Sequence, residues 1–462
     1  MNKITIIIFG MTGDLVCRKL LPALYHMIKE GALKNSIIVG AALENTTIEK
    51  ILTKARTCIS DCDERCWQEL ADCCYYQQLD ATKLSDYEHL YAFIQEQEKS
   101  RNLPGNRLLY CSVASDFFCP ITINSVESGI IERRSGSADP WMRIVYEKPF
   151  GLDSASAKKI NECIALLLDE SQVYRIDHYL TEELIANIAL VRFTNTVFEP
   201  LWNKKYISQV SIVLNEKIGI ENRGLYYDKY GAIKDVVQNH VLELLALIGM
   251  ESPRCLSGEC IRVERTEVLK HVRFIDGILG QYENYRHEPG VAIDSNTETF
   301  AALMLAVDTP RWKEVPFFVK TGKSLREKET YVHIQFKHAE CLLAKNCPSA
   351  PNALTIQVTP NPSFALTLNV KKPNMMQEVQ PVNMTFCHAD EFKGKTAESY
   401  EVLLEEVMRG EQAVSVRVDE IEEAWKVIDA IKAQELPVYQ YAAGSDGPDE
   451  FERFAKKHGM RW

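Results

Sequence analysis

A chain of 462 residues, 46% hydrophobic and 25% charged, has room for two or three domains with full apolar cores. Its formal net charge of −11, with no block of Lys and Arg, argues against nucleic acid or a membrane surface as partner, so an anionic small molecule has to be held by a few placed cations. No window approaches the roughly 18 consecutive apolar residues of a membrane span, and Met1 to Gly10 has no secretory pattern, so a cytoplasmic protein is expected.

Lys3 to Phe9 is a β-branched run that stops in Gly10-Met-Thr12-Gly13-Asp14-Leu15; Arg18 to Lys29 then has helical apolar spacing, and Ser36 to Ala41 reads as a second strand. A strand, a glycine turn and a helix form the arrangement that lets backbone approach a dinucleotide pyrophosphate at a helix N-terminus. Two glycines leave the three-glycine fingerprint incomplete, and a plain tight turn explains them equally well. Helices with a short strand at Tyr75 to Leu79 are expected between Thr46 and Glu98, followed by a strand at Arg107 to Val113, a helix at Asn124 to Ile131 and a strand at Met142 to Tyr146. This alternation predicts a doubly wound parallel sheet. Lys148, just beyond a strand end, would face a ligand there, or be a solvated surface lysine.

Fourteen cysteines without a secretory signal read as thiols rather than a disulfide framework. Cys58, Cys62 and Cys66 recur every fourth residue and Cys73 and Cys74 follow; one helix face packed in a core explains this better than a metal site, and no metal is expected.

Tyr174-Arg-Ile-Asp177-His178-Tyr179-Leu180 gathers proton-handling groups at the end of a helix-like run, and His240 lies downstream in a helix expected over Ile233 to Met250. One histidine in an apolar helix is usually a satisfied core residue. A helix at Glu183 to Phe193 is followed by extended segments at Tyr206 to Asn215, Thr299 to Ala306, Pro316 to Lys320, Thr330 to Phe336, Ala353 to Val358 and Ser363 to Asn369. Strands in succession predict an antiparallel sheet. The expected organisation is therefore α/β plus α+β: a Rossmann-like dinucleotide-binding domain over 1–177, and an α+β domain with a large, mostly antiparallel sheet over 178–462.

Taken together, the Gly10–Leu15 turn with Arg18-Lys19-Leu, Glu147-Lys-Pro-Phe-Gly-Leu-Asp153, the Tyr174–Leu180 heptapeptide, Arg192-Phe-Thr-Asn, Glu199-Pro-Leu-Trp202, Gln238-Asn-His240, Thr321-Gly-Lys323 and Ala443-Gly-Ser resemble the glucose-6-phosphate dehydrogenase family over essentially the whole chain. The resemblance implies oxidation of the anomeric carbon of a hexose 6-phosphate to a lactone, with hydride passing to NADP or NAD. His240 would be the general base, Asp177 the carboxylate that orients it, and Lys148 would lie with Lys19 beside the sugar and nicotinamide. Glu216 and Asp235 would bind sugar hydroxyls, and His178, Tyr179, Lys323 and Lys328 the phosphate. Gly10, Thr12, Gly13, Asp14 and Leu15 would cradle the cofactor. A homodimer or homotetramer joined through the large sheet is also implied.

The chain departs from that pattern where ligands are touched. Leu43 stands where an arginine usually grips the NADP 2′-phosphate, and Glu44 beside it suits the bare ribose of NAD. Thr181-Glu182-Glu183 replaces Gly-Lys-Glu, setting an anion in place of a phosphate-binding lysine. Ala114-Ser115 replaces two prolines, Thr359 a glutamine, and Leu225 a glycine. The expected function is hydride chemistry on glucose 6-phosphate or a related hexose, including one without the phosphate or with an amine facing Glu182. The alternative is a catalytically weak homologue that binds or regulates a sugar dehydrogenase.

Overall fold

The computed structural model describes residues 3–135, 137–339, 350–373, 378–387, 390 and 399–460. The chain divides into two compact units: the first comprises Met1–Thr181, Ser257–Glu259 and Ala397–Ile421, and the second Glu182–Leu256, Cys260–Thr396 and Glu422–Trp462.

The first unit is built on parallel strands β1 (Thr5–Phe9), β2 (Ile37–Ala42), β3 (Cys74–Gln78), β4 (Arg107–Cys111), β5 (Met142–Glu147) and β6 (Val173–Ile176). They lie in the order β6-β5-β4-β1-β2-β3, and the short strand Ser415–Val416 closes the β6 edge in antiparallel register. The order reverses at β1, between β2 and β4, so the crevice for a dinucleotide opens at the carboxyl end of β1. β1, β4 and β5 are buried throughout, as a sheet covered on both faces requires. The expected parallel sheet is present.

Three local expectations are corrected. The helix placed at Asn124 to Ile131 runs Phe118–Glu127; Phe118 and Ile121 are buried and extend its apolar face forward. Tyr174–Leu180 does not close a helix: its first residues belong to β6, and His178–Thr181 makes a single 3-10 turn. Cys58 and Cys62 lie in turns between the helices Ile48–Arg56 and Glu64–Cys73, so the cysteine period does not line one helix.

The second unit carries β7 (Ile207–Asn215), β8 (Val272–Tyr282), β9 (Phe300–Val307), β10 (Pro316–Gly322), β11 (Glu329–Phe336), β12 (Ala353–Thr359), β13 (Ser363–Lys371) and β14 (Val379–Cys387). Together with Val438–Tyr441 they form one sheet ordered β14-β13-β12-β11-β7-β10-β9-β8 and then Val438–Tyr441. All neighbours are antiparallel except β7–β10 and β8 with Val438–Tyr441, the mostly antiparallel sheet expected. A buried helix follows the left-handed Gly231 (φ 63°); its first part, Ile233–Val241, winds as a π-helix, and Leu242–Gly249 is α-helical.

The thiol expectation is also corrected: Cys255 and Cys260 form a disulfide. Ten other described cysteines are free. Among the described residues, no helix is long and apolar enough to cross a membrane and no group of three His, Cys, Asp or Glu can hold a metal ion.

Candidate functional site

The carboxyl edge of the parallel sheet collects the candidate residues of the first unit. β1 ends in Gly10, whose φ of +83° and closeness to the Ser112 carbonyl admit no side chain: a Cβ would collide with that oxygen. Gly13 donates its N–H to the Gly10 carbonyl at 2.9 Å. A Cβ on Gly13 would meet only that oxygen, at 3.1 Å, so its other side is open to a ligand. Met11 is buried and packs where Gly40 of β2 lacks a side chain. Thr12 and Leu15 are half-buried, and Asp14 is exposed, opening the helix in an ion pair with Arg18 at 3.0 Å. A glycine turn running into a helix N-terminus at the switch point of the sheet fits a dinucleotide pyrophosphate.

Leu43 and Glu44 follow β2. Gln78 holds the Leu43 carbonyl at 3.0 Å and Tyr76 the Glu44 carbonyl at 2.5 Å, so the backbone here is fixed from β3. Leu43 nevertheless leaves 68% of its surface exposed, and neither side chain offers a cation for a 2′-phosphate. Lys19 is exposed on the first helix.

β5 ends in Glu147 and then half-buried Lys148. Glu147, which sequence reasoning passed over, is buried. Burial raises its pKa, opposed by hydrogen bonds from Tyr110 and Tyr400 and by the Lys148 charge. Tyr400 comes from helix Ser399–Arg409, distant in sequence, so nothing local signalled this pocket. On the neighbouring β6, Asp177 is 1% exposed and accepts the Tyr179 N–H at 3.0 Å, while its own carbonyl receives the Leu180 N–H. The 3-10 turn thereby folds back on the aspartate, which orients both the carboxylate and the His178–Tyr179 backbone. Lys148 and Asp177 stand on adjacent strand ends, since Glu147 registers with Ile176.

In the second unit, Asp235 is buried with Tyr226 donating to it at 3.2 Å, and His240 is 3% exposed with its backbone N–H donating to the Asn239 side-chain oxygen at 2.7 Å. Residues five apart point about 140° from each other on an α-helix, whereas i→i+5 winding turns them toward one side. The π-helical stretch therefore brings Asp235 and His240 onto a shared face. A second carboxyl missed in the sequence, Glu298, accepts the Ile233 N–H at 3.1 Å and caps this helix from the turn before β9; its pKa is raised by burial. The positive φ at Gly231 makes room for it, since a Cβ there would collide with the carboxylate.

Glu216 and Lys323, expected to bind sugar and phosphate, are joined to each other at 2.7 Å. Lys323 is 2% exposed, stacks 5.4 Å over the Tyr227 ring, and has its carbonyl held by the Tyr441 hydroxyl at 2.6 Å. Lys328 and Leu225 are exposed and Thr359 is half-buried. Glu182 is half-buried at the N-cap of helix Glu183–Thr194.

Residues 7–187 match the model described as "Glucose-6-phosphate dehydrogenase, NAD binding domain", and residues 189–462 match "Glucose-6-phosphate dehydrogenase, C-terminal domain". The chain belongs to the glucose-6-phosphate dehydrogenase family. Glucose-6-phosphate 1-dehydrogenase of Chlamydia muridarum is 36% identical over 99% of this chain and 96% of that protein; the Bacillus subtilis enzyme is 34% identical over 100% and 98%. The solved structure of a glucose-6-phosphate dehydrogenase in complex with glucose-6-phosphate superposes with a TM-score of 0.91 at 30% identity, covering 100% of this chain and 98% of that one. The Mycobacterium avium enzyme gives 0.88 at 31%, covering 100% and 98%. The chain is thus an oxidoreductase of this family, with a domain for a nicotinamide cofactor.

Proposed function

We propose that the chain oxidises the anomeric carbon of glucose 6-phosphate, or of a closely related hexose, to the lactone. The nicotinamide ring supplies the hydride acceptor. His240 takes the anomeric hydroxyl proton, and Asp177, held by the Tyr179 N–H, orients the imidazole and steadies its charged form. Lys148 polarises and positions the sugar; Lys19, Glu216 and Asp235 hold its hydroxyls and the nicotinamide end, and His178, Tyr179, Lys323 and Lys328 its phosphate, with Glu182 opposing that anion. Gly10, Thr12, Gly13, Asp14 and Leu15 bind the cofactor, and Leu43 with Glu44 turns preference from NADP toward NAD. The observation that carries the reading is the placement of Lys148 and buried Asp177 on adjacent strand ends, on the edge where the Gly10 turn opens. The matched relatives do not favour a purely regulatory homologue.

Within the same proposal, 1–177 serves the cofactor and 178–462 the sugar and a homodimer or homotetramer, whose contact we assign to β13–β14, where Val370, Met384 and Phe386 are exposed. A cytoplasmic setting belongs to the same proposal. The test is a spectrophotometric screen of NAD and NADP against glucose 6-phosphate, glucose and amino-hexoses, with His240→Ala as control. Glucose 6-phosphate with NAD is expected to yield reduced coenzyme, and the variant to fall about 10²- to 10⁴-fold. No turnover with any pair, or an equally active variant, overturns the assignment.

A further inference from the structure

The Cys255–Cys260 disulfide is the only one among the described residues, which also hold ten free cysteines. Cys255 is exposed and Cys260 half-buried, in the first turn of the helix Gly258–Leu269. The bridge closes a loop whose tip, Ser257–Glu259, belongs to the first unit. There Gly258 lies so close to the backbone of Gln412 and Ala413 that a Cβ would collide with the Ala413 nitrogen. Glu259 pairs with Arg417 at 2.6 Å.

The segment receiving this tip also supports β6. Gln412 donates to the carbonyls of Glu170 and Val173, each at 3.1 Å; the Ser415 hydroxyl accepts the Arg175 N–H at 3.1 Å; and Ser415 registers with Ile176, the residue before Asp177. Both the tip contacts and the strand contacts fall within 412–417, so freedom gained at the tip is felt at the strand that ends in Asp177.

We propose that Cys255–Cys260 is a reversible redox site, oxidised in the form described, whose reduction by a dithiol releases the Gly258–Glu259 tip and loosens the Ser415–Val416 strand beneath Asp177. One thiolate of the dithiol attacks the exposed Cys255 sulfur, the S–S bond breaks, and Cys260 leaves as a thiolate that takes a proton. The second thiol displaces Cys255 from the mixed disulfide, so the protein gains two electrons and two protons and the dithiol becomes a disulfide. A low-molecular-weight disulfide reverses the reaction. Disulfides of reducing compartments are commonly transient and redox-sensing, which fits an exposed bridge in a thiol-rich chain. The effect on catalysis rests on the role proposed for Asp177; the redox and dynamic effects do not.

The full-length protein is equilibrated in dithiothreitol buffers of graded oxidised-to-reduced ratio, alkylated and mapped by mass spectrometry, in parallel with amide hydrogen exchange and turnover. Cys255 and Cys260 are expected to become alkylated together in one two-electron transition while the fold persists. Exchange at Val173–Ile176 and Ser415–Val416 should rise about tenfold, and kcat fall about 2- to 30-fold, all restored on reoxidation. Cys255→Ser should reproduce the reduced form; if it fails to fold, reversible reduction of the wild type decides alone. A bridge that opens only on unfolding, or unchanged exchange at those strands after reduction, overturns the proposal. If exchange rises and kcat does not fall, the redox site stands and the part assigned to Asp177 fails.

Discussion

The two candidate regions differ in how they hold their functional groups. On the carboxyl edge of the parallel sheet, backbone places the main groups: the Gly10 turn against Ser112, the Asp177 carboxylate against its own 3-10 turn, Lys148 one strand away. On the rim of the large sheet the groups are fixed by charge, and Lys323 already has a counter-ion in Glu216. Positions set by backbone tolerate few substitutions, whereas a charge can be exchanged or neutralised without disturbing the fold. Of the departures from the expected pattern, Leu43, just past β2, and Glu182 exchange a charge, while Lys148 and Asp177 keep theirs.

The comparison breaks first at Asp177. Asp177→Asn keeps the shape and the Tyr179 N–H bond but removes the charge that steadies an imidazolium, so kcat should fall about 10³-fold with coenzyme affinity unchanged. Asp177→Glu should recover part of it, and the pH profile of kcat/KM should shift. A loss below about tenfold removes the aspartate from proton transfer.

Glu216→Gln probes the other region. It leaves a buried ammonium without its counter-charge, and because Glu216 is partly exposed the destabilisation should be about 1–2 kcal/mol, read as a lower urea midpoint. The uncompensated Lys323 should also lower KM for glucose 6-phosphate several-fold relative to KM for glucose, because the hydroxyl contact assigned to Glu216 is weakened equally for both sugars. Equal changes for both sugars would show that Lys323 does not meet the phosphate. Leu43→Arg should move the NADP-to-NAD preference about tenfold toward NADP, as measured by coenzyme titration, because the exposed side chain can be replaced without repacking. An unchanged ratio would place the 2′-phosphate elsewhere.

What could be read from the sequence followed the same division. The Gly10 turn, Lys148 beyond β5 and the helix bearing His240 are written in adjacent residues, and motif and period reach them. β8 escaped because Asp276, Gly277 and Gly280 interrupt its alternation; Gly277 is there because a Cβ would press on Leu303. The strand end at Asp177 reads as a helix end in sequence because β6 is only four residues long, too short to show a period of two. Glu298 caps a helix 65 residues before it, and Tyr400 reaches Glu147 from a segment placed with the second domain in sequence and grouped with the first unit in space. Such contacts are products of tertiary packing and leave no local signal. The Cys255–Cys260 disulfide has no local signal for a different reason: compartment and composition are statements about the whole chain, and one pair five residues apart is an exception they average away.

Glu147 gives the finest test of the backbone-held region. Burial is the largest influence on its carboxyl and pushes the pKa above the ordinary 4.5, while Tyr110, Tyr400 and the Lys148 charge pull it back only in part. The folded protein therefore holds this proton more tightly than the unfolded chain does. The stability that follows is full below about pH 4.5 and is lost as the pH rises through the raised folded value. Glu147→Gln cannot titrate, so its urea midpoint should gain on the wild type as the pH rises from about 4.5 toward neutrality, an effect below those of the other variants. Parallel curves would mean that the Glu147 site accommodates the carboxylate as well as water does, and the strand end before Lys148 would then be more hydrated than its enclosure implies.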